Sequence, residues 1–228
     1  MNLTTFYDQS YLLNSSEYSP NYSLINFINN TTPKYNFKNK IEVLEVGCGD
    51  GSIFEHIHDL SFNLLGLDFS QEAINKAKSR NIAEFDFIHS DFSTDLILEK
   101  KFDLILDSHC LHCVTELDKR KIFLKNIYNH LSNSGIFMAE VMISHNEMQF
   151  TDNFLFNHEQ NTLLQQIEGT VLPIRYIPTV NQVENELLEA GFKINYLRAF
   201  PEFKVIPDST RSVAYNNDPE LLRFICQK

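Results

Sequence analysis

Ile41-Glu-Val-Leu-Glu-Val-Gly-Cys-Gly-Asp-Gly51 is the stretch on which the reading of this chain turns. A short apolar run reaches Glu45, glycines then alternate at 47, 49 and 51, and an amphipathic segment follows. Glycine at such positions lets the backbone turn sharply and lets a ligand approach where a Cβ would collide. Ser52 and Glu55 have the S-x-x-E spacing of a capping box, which predicts a helix over 53–60. Strand, glycine loop and helix start, in that order, build a nucleotide-type site at the carboxyl edge of a sheet. A nucleoside-bearing cofactor is the expected ligand.

The loop's details narrow the choice. A dinucleotide fingerprint reads G-x-G-x-x-G, whereas the glycines here are spaced G-x-G-x-G, with Glu45 two residues ahead of the first. A carboxylate at that place would repel a pyrophosphate and suits the ammonium group of an amino acid. Glu45-Val-Gly-Cys-Gly-Asp-Gly51 resembles the first motif of the class I S-adenosylmethionine-dependent methyltransferases. The resemblance implies that S-adenosyl-L-methionine is the cofactor. It also implies that Glu45, Gly47, Cys48, Gly49 and Gly51 wrap its methionine part, with Glu45 reaching the amino group.

Three further strand ends fall in register with that expectation. Phe62-Asn-Leu-Leu-Gly-Leu67 reads as a buried strand ending at Asp68, close to the ≈ 20 residues that separate a glycine loop from a ribose-binding carboxylate. Asp68 can accept from both ribose hydroxyls, and Phe69 offers an apolar surface to the adenine. Ser70 reads as the N-cap of a helix over 71–79. After the strand 84–88 come Asp91 and Phe92, which the resemblance places at the adenine amino group and ring. After Phe102–Leu106 come Asp107, Ser108, His109 and the Leu111-His112 pair, on the edge that faces the transferable methyl group in the family. His109 and His112 are the candidate catalytic residues. His109-Cys110-x-His112-Cys113 also has zinc-type donors. Four ligands within five residues cannot easily surround one tetrahedral ion, so no metal is expected and the cysteines read as small buried residues.

The wider pattern alternates strands (41–46, 63–67, 84–88, 102–107, 135–142) with helices (53–60, 71–79, 118–131, 180–190). That alternation predicts a mostly parallel sheet with helices on both faces. No helix pattern separates 192–198 from 221–227, so those two should pair antiparallel. The expected fold is α/β: a doubly wound, Rossmann-like, seven-stranded sheet with a final antiparallel strand. It forms a single domain over 1–228. An N-terminal aromatic segment, 1–40, carries Phe6, Tyr7, Tyr11, Tyr18 and Tyr22, and Asn26–Lys40 reads as loop. A lid-like insert, 144–178, is expected to hold an amphipathic helix, being longer than an ordinary connection. Tyr7, Tyr11, His145, Arg175 and Tyr176 are the candidate substrate residues.

Composition bounds the partners. The net charge of −11, with 19 Lys and Arg forming no run, argues against broad phosphate neutralisation, so nucleic acid is disfavoured. No apolar run approaches the ≈ 20 residues of a membrane helix, and the first residues lack a basic, apolar leader. A cytoplasmic enzyme is expected, methylating a small-molecule acceptor, with a protein acceptor as the second choice. A non-catalytic S-adenosylmethionine binder or scaffold of the same fold is the alternative.

Overall fold

The computed structural model describes residues 2–13, 20–35, 37, 40–150, 154–207 and 213–228, so Tyr18 lies outside the described residues. Ten strands and five α-helices occur among them. The main sheet contains β1 (Ile41–Val46), β2 (Phe62–Asp68), β3 (Phe85–His89), β4 (Phe102–Ser108), β5 (Leu131–Ile143), β9 (Lys193–Lys204) and β10 (Glu220–Gln227). Their order is β3-β2-β1-β4-β5-β10-β9. The first five run parallel, and β10 is antiparallel to both its neighbours. This is the expected architecture. Successive crossovers diverge between β1 and β4, which is the switch point where such sheets bind ligands.

Period-two burial explains the layers. Val43, Leu104 and Ile136 pack on one face with Leu24, Ile25 and Ile28 of α2 (Tyr22–Thr31). Their chain neighbours Leu44, Ile105 and Phe137 pack on the other face, against Phe123 and Ile127 of α4 (Leu117–His130) and Val183 and Leu187 of α5 (Val180–Glu189). Both α3 (Gln71–Ser79) and α5 have the caps read from the sequence, at Ser70 and at the Thr179–Gln182 capping box.

Three expectations are corrected. The capping box at Ser52–Glu55 is present, but it starts only a 3-10 turn, Ile53–His56, before Ile57 turns extended. Ile, Phe, His and Asp dominate 53–59 and are weak helix formers, so nothing extends the nucleus. Part of the Asn-rich stretch is helix, because Asn21 caps α2 through its side-chain oxygen, which accepts from Leu24 N–H at 3.1 Å.

Among the described residues the insert is a three-stranded antiparallel sheet with no helix: β6 (Phe154–Asn157), β7 (Thr162–Ile167) and β8 (Thr170–Tyr176). Glu168 and Gly169 join β7 to β8 at φ +47° and +76°, the paired positive values of a two-residue hairpin turn. Pro173, which would obstruct a central strand, sits on edge strand β8 beside a bulge. Leu163, Leu172 and Ile174 of this sheet pack with Leu3 and Phe6 of α1 (Leu3–Leu13). Among the described residues no helix is long and apolar enough to cross a membrane.

Candidate functional site

A cavity of about 340 Å³ lies over the carboxyl ends of β1, β2, β3 and β4. Its floor comes from the sheet edge. Gly47, at φ +73°, turns the chain after β1, and its N–H donates to the Leu67 carbonyl at 2.7 Å. A Cβ there would come within 2.5 Å of the Cys110 Cβ, so glycine is what lets the β1 and β4 loops touch. Gly49 lies behind the wall, at φ +59°, and donates to Asp68 Oδ2 at 3.0 Å. Asp68 Oδ1 accepts from Ser70 N–H at 2.9 Å. Burial pushes the Asp68 carboxyl above its ordinary value, opposed by those backbone N–H donors.

Asp68, Phe69, Asp91 and Phe92 all line this cavity. Each Asp68 oxygen has lone pairs left for a hydroxyl, and the cavity volume falls in the range of small-molecule sites. These residues fit the adenosine part of the expected cofactor.

The fit does not extend to every predicted position. Glu45, Cys48, Gly49, Gly51 and Asp107 lie outside the cavity lining. The Glu45 carboxylate accepts from Ser52 Oγ–H and, at 3.4 Å, from Ile53 N–H, beneath the loop. Among the described residues no cation faces it there, and burial pushes its pKa up to about 8. Cys48 packs into the core with Ile74 and Phe87. Asp107 accepts from Cys110 N–H at 2.6 Å and Leu111 N–H at 2.8 Å, which shapes the loop after β4. Burial lifts the Asp107 carboxyl to about 6.

That loop separates the two candidate histidines. His109 lines the cavity together with Ser108, at φ +78°, a conformation uncommon outside glycine and one that clusters at functional sites. His112 is buried away from the cavity, and its Nδ1 accepts from Met142 N–H at 3.4 Å. Burial drives the His112 pKa well down, so the ring stays neutral. Cys113 Sγ–H donates to the His109 carbonyl at 3.3 Å. His109, His112 and Cys113 thus sit in separate surroundings. Arg120, buried in α4, ties this loop to the body by donating to the Leu111 carbonyl at 2.5 Å and pairing with Glu186 of α5.

The cover over the cavity comes from outside the main sheet. Tyr7 and Tyr11 of α1 and Arg175 of β8 line it, and Arg175 donates to the Tyr7 hydroxyl at 2.5 Å. Asp8 docks α1 onto the start of α3, its Oδ1 accepting from Ser70 Oγ–H at 2.5 Å. His145 does not reach the cavity. Its Nδ1 accepts from Glu147 N–H, which leaves Nε2–H to donate to the Asp218 carbonyl at 2.7 Å. Tyr176 is buried outside the cavity lining, its ring 4.3 Å from the Arg120 guanidinium.

One feature of the site escaped the sequence reading. His109 Nε2 lies 2.7 Å from Glu140 Oε1 on β5. The other oxygen of Glu140 accepts from Arg223 Nε on β10 at 2.7 Å, and Asn21 Nδ2–H donates to Oε1 at 2.8 Å. Burial would raise the Glu140 carboxyl, but the His109 hydrogen bond and the charges of His109 and Arg223 hold it below its ordinary value. The missed signal was a lone acid in the apolar run 136–143 and a lone base in 221–226. A charge buried in a strand needs a partner.

Comparison with known proteins adds a direct line. A model described as a methyltransferase domain matches residues 43–135. A malonyl-[acyl-carrier protein] O-methyltransferase of Bacillus anthracis is 25% identical over 195 residues, 82% of this chain and 70% of that protein. A ubiquinone biosynthesis O-methyltransferase of Rickettsia canadensis is 28% identical over 112 residues, 48% of this chain and 46% of its own length. Among solved structures, an S-adenosylmethionine-dependent methyltransferase from Clostridium acetobutylicum superposes with a TM-score of 0.63 at 17% identity, covering 98% of this chain and 96% of that one.

Proposed function

From the premise that the chain is a class I S-adenosylmethionine-dependent methyltransferase, we propose that it methylates a hydroxyl group on a small molecule held in the 340 Å³ cavity. The observation that carries this reading is one cavity lined at once by Asp68 and Asp91, by His109, and by Tyr7 and Arg175 of the cover. Asp68 holds the ribose hydroxyls, with Phe69, Asp91 and Phe92 around the adenine and Gly47 beside the methionine part. The cofactor supplies a methyl group already activated on a sulfonium. What is left to the chain is to align the acceptor, a contribution of roughly 7–11 kcal/mol when orientation is good, and to take its proton.

His109 is the residue placed to take that proton. His112, neutral and buried outside the lining, has a structural role. Tyr7, Tyr11 and Arg175 face the acceptor, and the enclosure they form favours a small molecule over a protein. In this reading the chain is one methyltransferase domain acting in the cytoplasm, whose cover is built from the N-terminal segment and the insert. The names of the two relatives make oxygen the first acceptor atom to try.

The test is S-adenosylhomocysteine binding by calorimetry, followed by its release from S-adenosylmethionine with panels of phenols, alcohols, carboxylic acids and amines. Turnover with a hydroxyl acceptor that falls about 10²–10⁴-fold in His109→Gln is the expected result. Turnover only with carboxylic acids, indifferent to His109→Gln, would refute the role of His109. Binding without transfer to any class would favour the non-catalytic alternative.

A further inference from the structure

The reading of His109 as proton acceptor leaves open which ring nitrogen is basic and what holds the ring. Three strands meet at the answer. His109 directly follows β4, Glu140 lies on β5, and Arg223 stands directly opposite Glu140 in the β5–β10 register. Glu140 is almost wholly buried, and among the described residues each polar contact on its carboxyl comes from a donor: Asn21 Nδ2–H, Arg223 Nε–H and guanidinium, and the His109 ring. A carboxylate facing only donors is held ionised, and an ionised carboxylate has no proton to give. The His109–Glu140 contact of 2.7 Å therefore needs its proton on His109 Nε2.

We propose that Glu140 is a positioning residue: anchored by Arg223 and Asn21, it fixes His109 as the Nε2–H tautomer and leaves Nδ1 as the basic nitrogen for the acceptor. The inference rests on the cavity reading given above. In the step it serves, the acceptor O–H bond breaks, its proton goes to Nδ1, and the oxygen electron pair forms the bond to the methyl carbon. The carbon–sulfur pair stays on sulfur, so one imidazolium forms for each sulfonium neutralised. Glu140 stabilises that imidazolium across the same hydrogen bond.

Other charges face the ring as well. Asp107 precedes it on β4, and the neutral His112 ring stands 5.4 Å away, centroid to centroid. Arg175 of β8 and Glu116 and Lys119 at the start of α4 line the same cavity. Glu140 is the one of these hydrogen-bonded to His109, so its removal should dominate any change in the ring's titration.

The experiment is long-range ¹⁵N–¹H correlation of the histidine side chains across a pH titration, with His109 assigned by the signal lost in His109→Gln. Wild type should show the Nε2–H tautomer. In Glu140→Gln the imidazolium loses its counter-charge, so the His109 pKa should fall by about one unit or more, while S-adenosylhomocysteine affinity stays within about twofold, since Glu140 lies outside the cavity lining. Should the buried Arg223 then prevent folding, Glu140→Gln with Arg223→Met removes the pair as a unit and gives the same readout. An Nδ1–H tautomer in wild type, or an unchanged pKa in the variant, overturns the proposal. If wild type fails to bind S-adenosylhomocysteine, the cavity reading fails, and the titration still decides the role of Glu140 separately.

Discussion

Glu45 and Glu140 are both glutamates on the inner strands of one sheet, both almost wholly buried, and their carboxyl pKa values move in opposite directions. Glu45, near the end of β1, meets a hydroxyl and a backbone N–H, and burial carries its pKa to about 8. Glu140, near the end of β5, meets a guanidinium, an amide and an imidazole, and these hold it ionised against the same burial. Desolvation acts on both carboxylates, and the partners decide the outcome. An acid in a strand is thus not yet a functional charge. It becomes one where the fold brings a cation to it.

The comparison is broken most forcefully by removing the cation. Arg223→Met leaves Glu140 buried without its guanidinium, and stability at pH 7 should drop by about 3–5 kcal/mol in urea unfolding. The loss should shrink towards pH 5, because protonation relieves the stranded carboxylate, and Glu140→Gln with Arg223→Met should regain most of it. A drop below about 1 kcal/mol would mean the pair is not desolvated.

The converse test is Glu45→Gln. Its folded pKa, about 8, lies above the ordinary 4.5. Between those values the unfolded chain has released a proton that the folded chain keeps, so this group lowers wild-type stability as pH rises. The slope is about 1.4 kcal/mol per unit, and the glutamine variant lacks it. Measured without ligand, the variant should gain about 2–3 kcal/mol on wild type between pH 6 and pH 8. A gap that does not change with pH would show Glu45 ionised in the fold, as a carboxylate that meets a cofactor ammonium would be.

Asp68 sharpens the comparison from between the two. It is raised only moderately, because backbone N–H groups from Gly49 and Ser70 share its charge. Asp68→Asn keeps an acceptor there and loses the charge, so S-adenosylhomocysteine affinity should weaken about tenfold by calorimetry, the value of a charge-assisted bond. Unchanged affinity would remove Asp68 from the ribose site.

What could be read from the chain divides along the same line. The sheet and the strand-end residues Asp68, Asp91 and His109 that line the cavity were legible because each is a local pattern: an apolar run, a stop and a polar tip. The Glu140–Arg223 pair was not, since it depends on β10 entering beside β5 in one register, and its members stand 83 residues apart. The insert misled for a different reason. Leu163, Leu164 and Ile167 sit at spacings a helix face also uses, and the hairpin signal rested on the single glycine of Glu168-Gly169 between Ile167 and Thr170.

The cover over the cavity has an unusual footing. Helix α1 contributes Tyr7 and Tyr11 to the site, yet none of its residues is buried, whereas α4 has six buried residues and α5 two. Local opening costs least where least apolar surface is sealed. The α1 amides should accordingly exchange with deuterium well before those of α4, and a bound ligand held beneath Tyr7 should slow that exchange. The doorway to the site is then the first piece of the molecule to breathe, and entry and exit can proceed while the sheet stays shut.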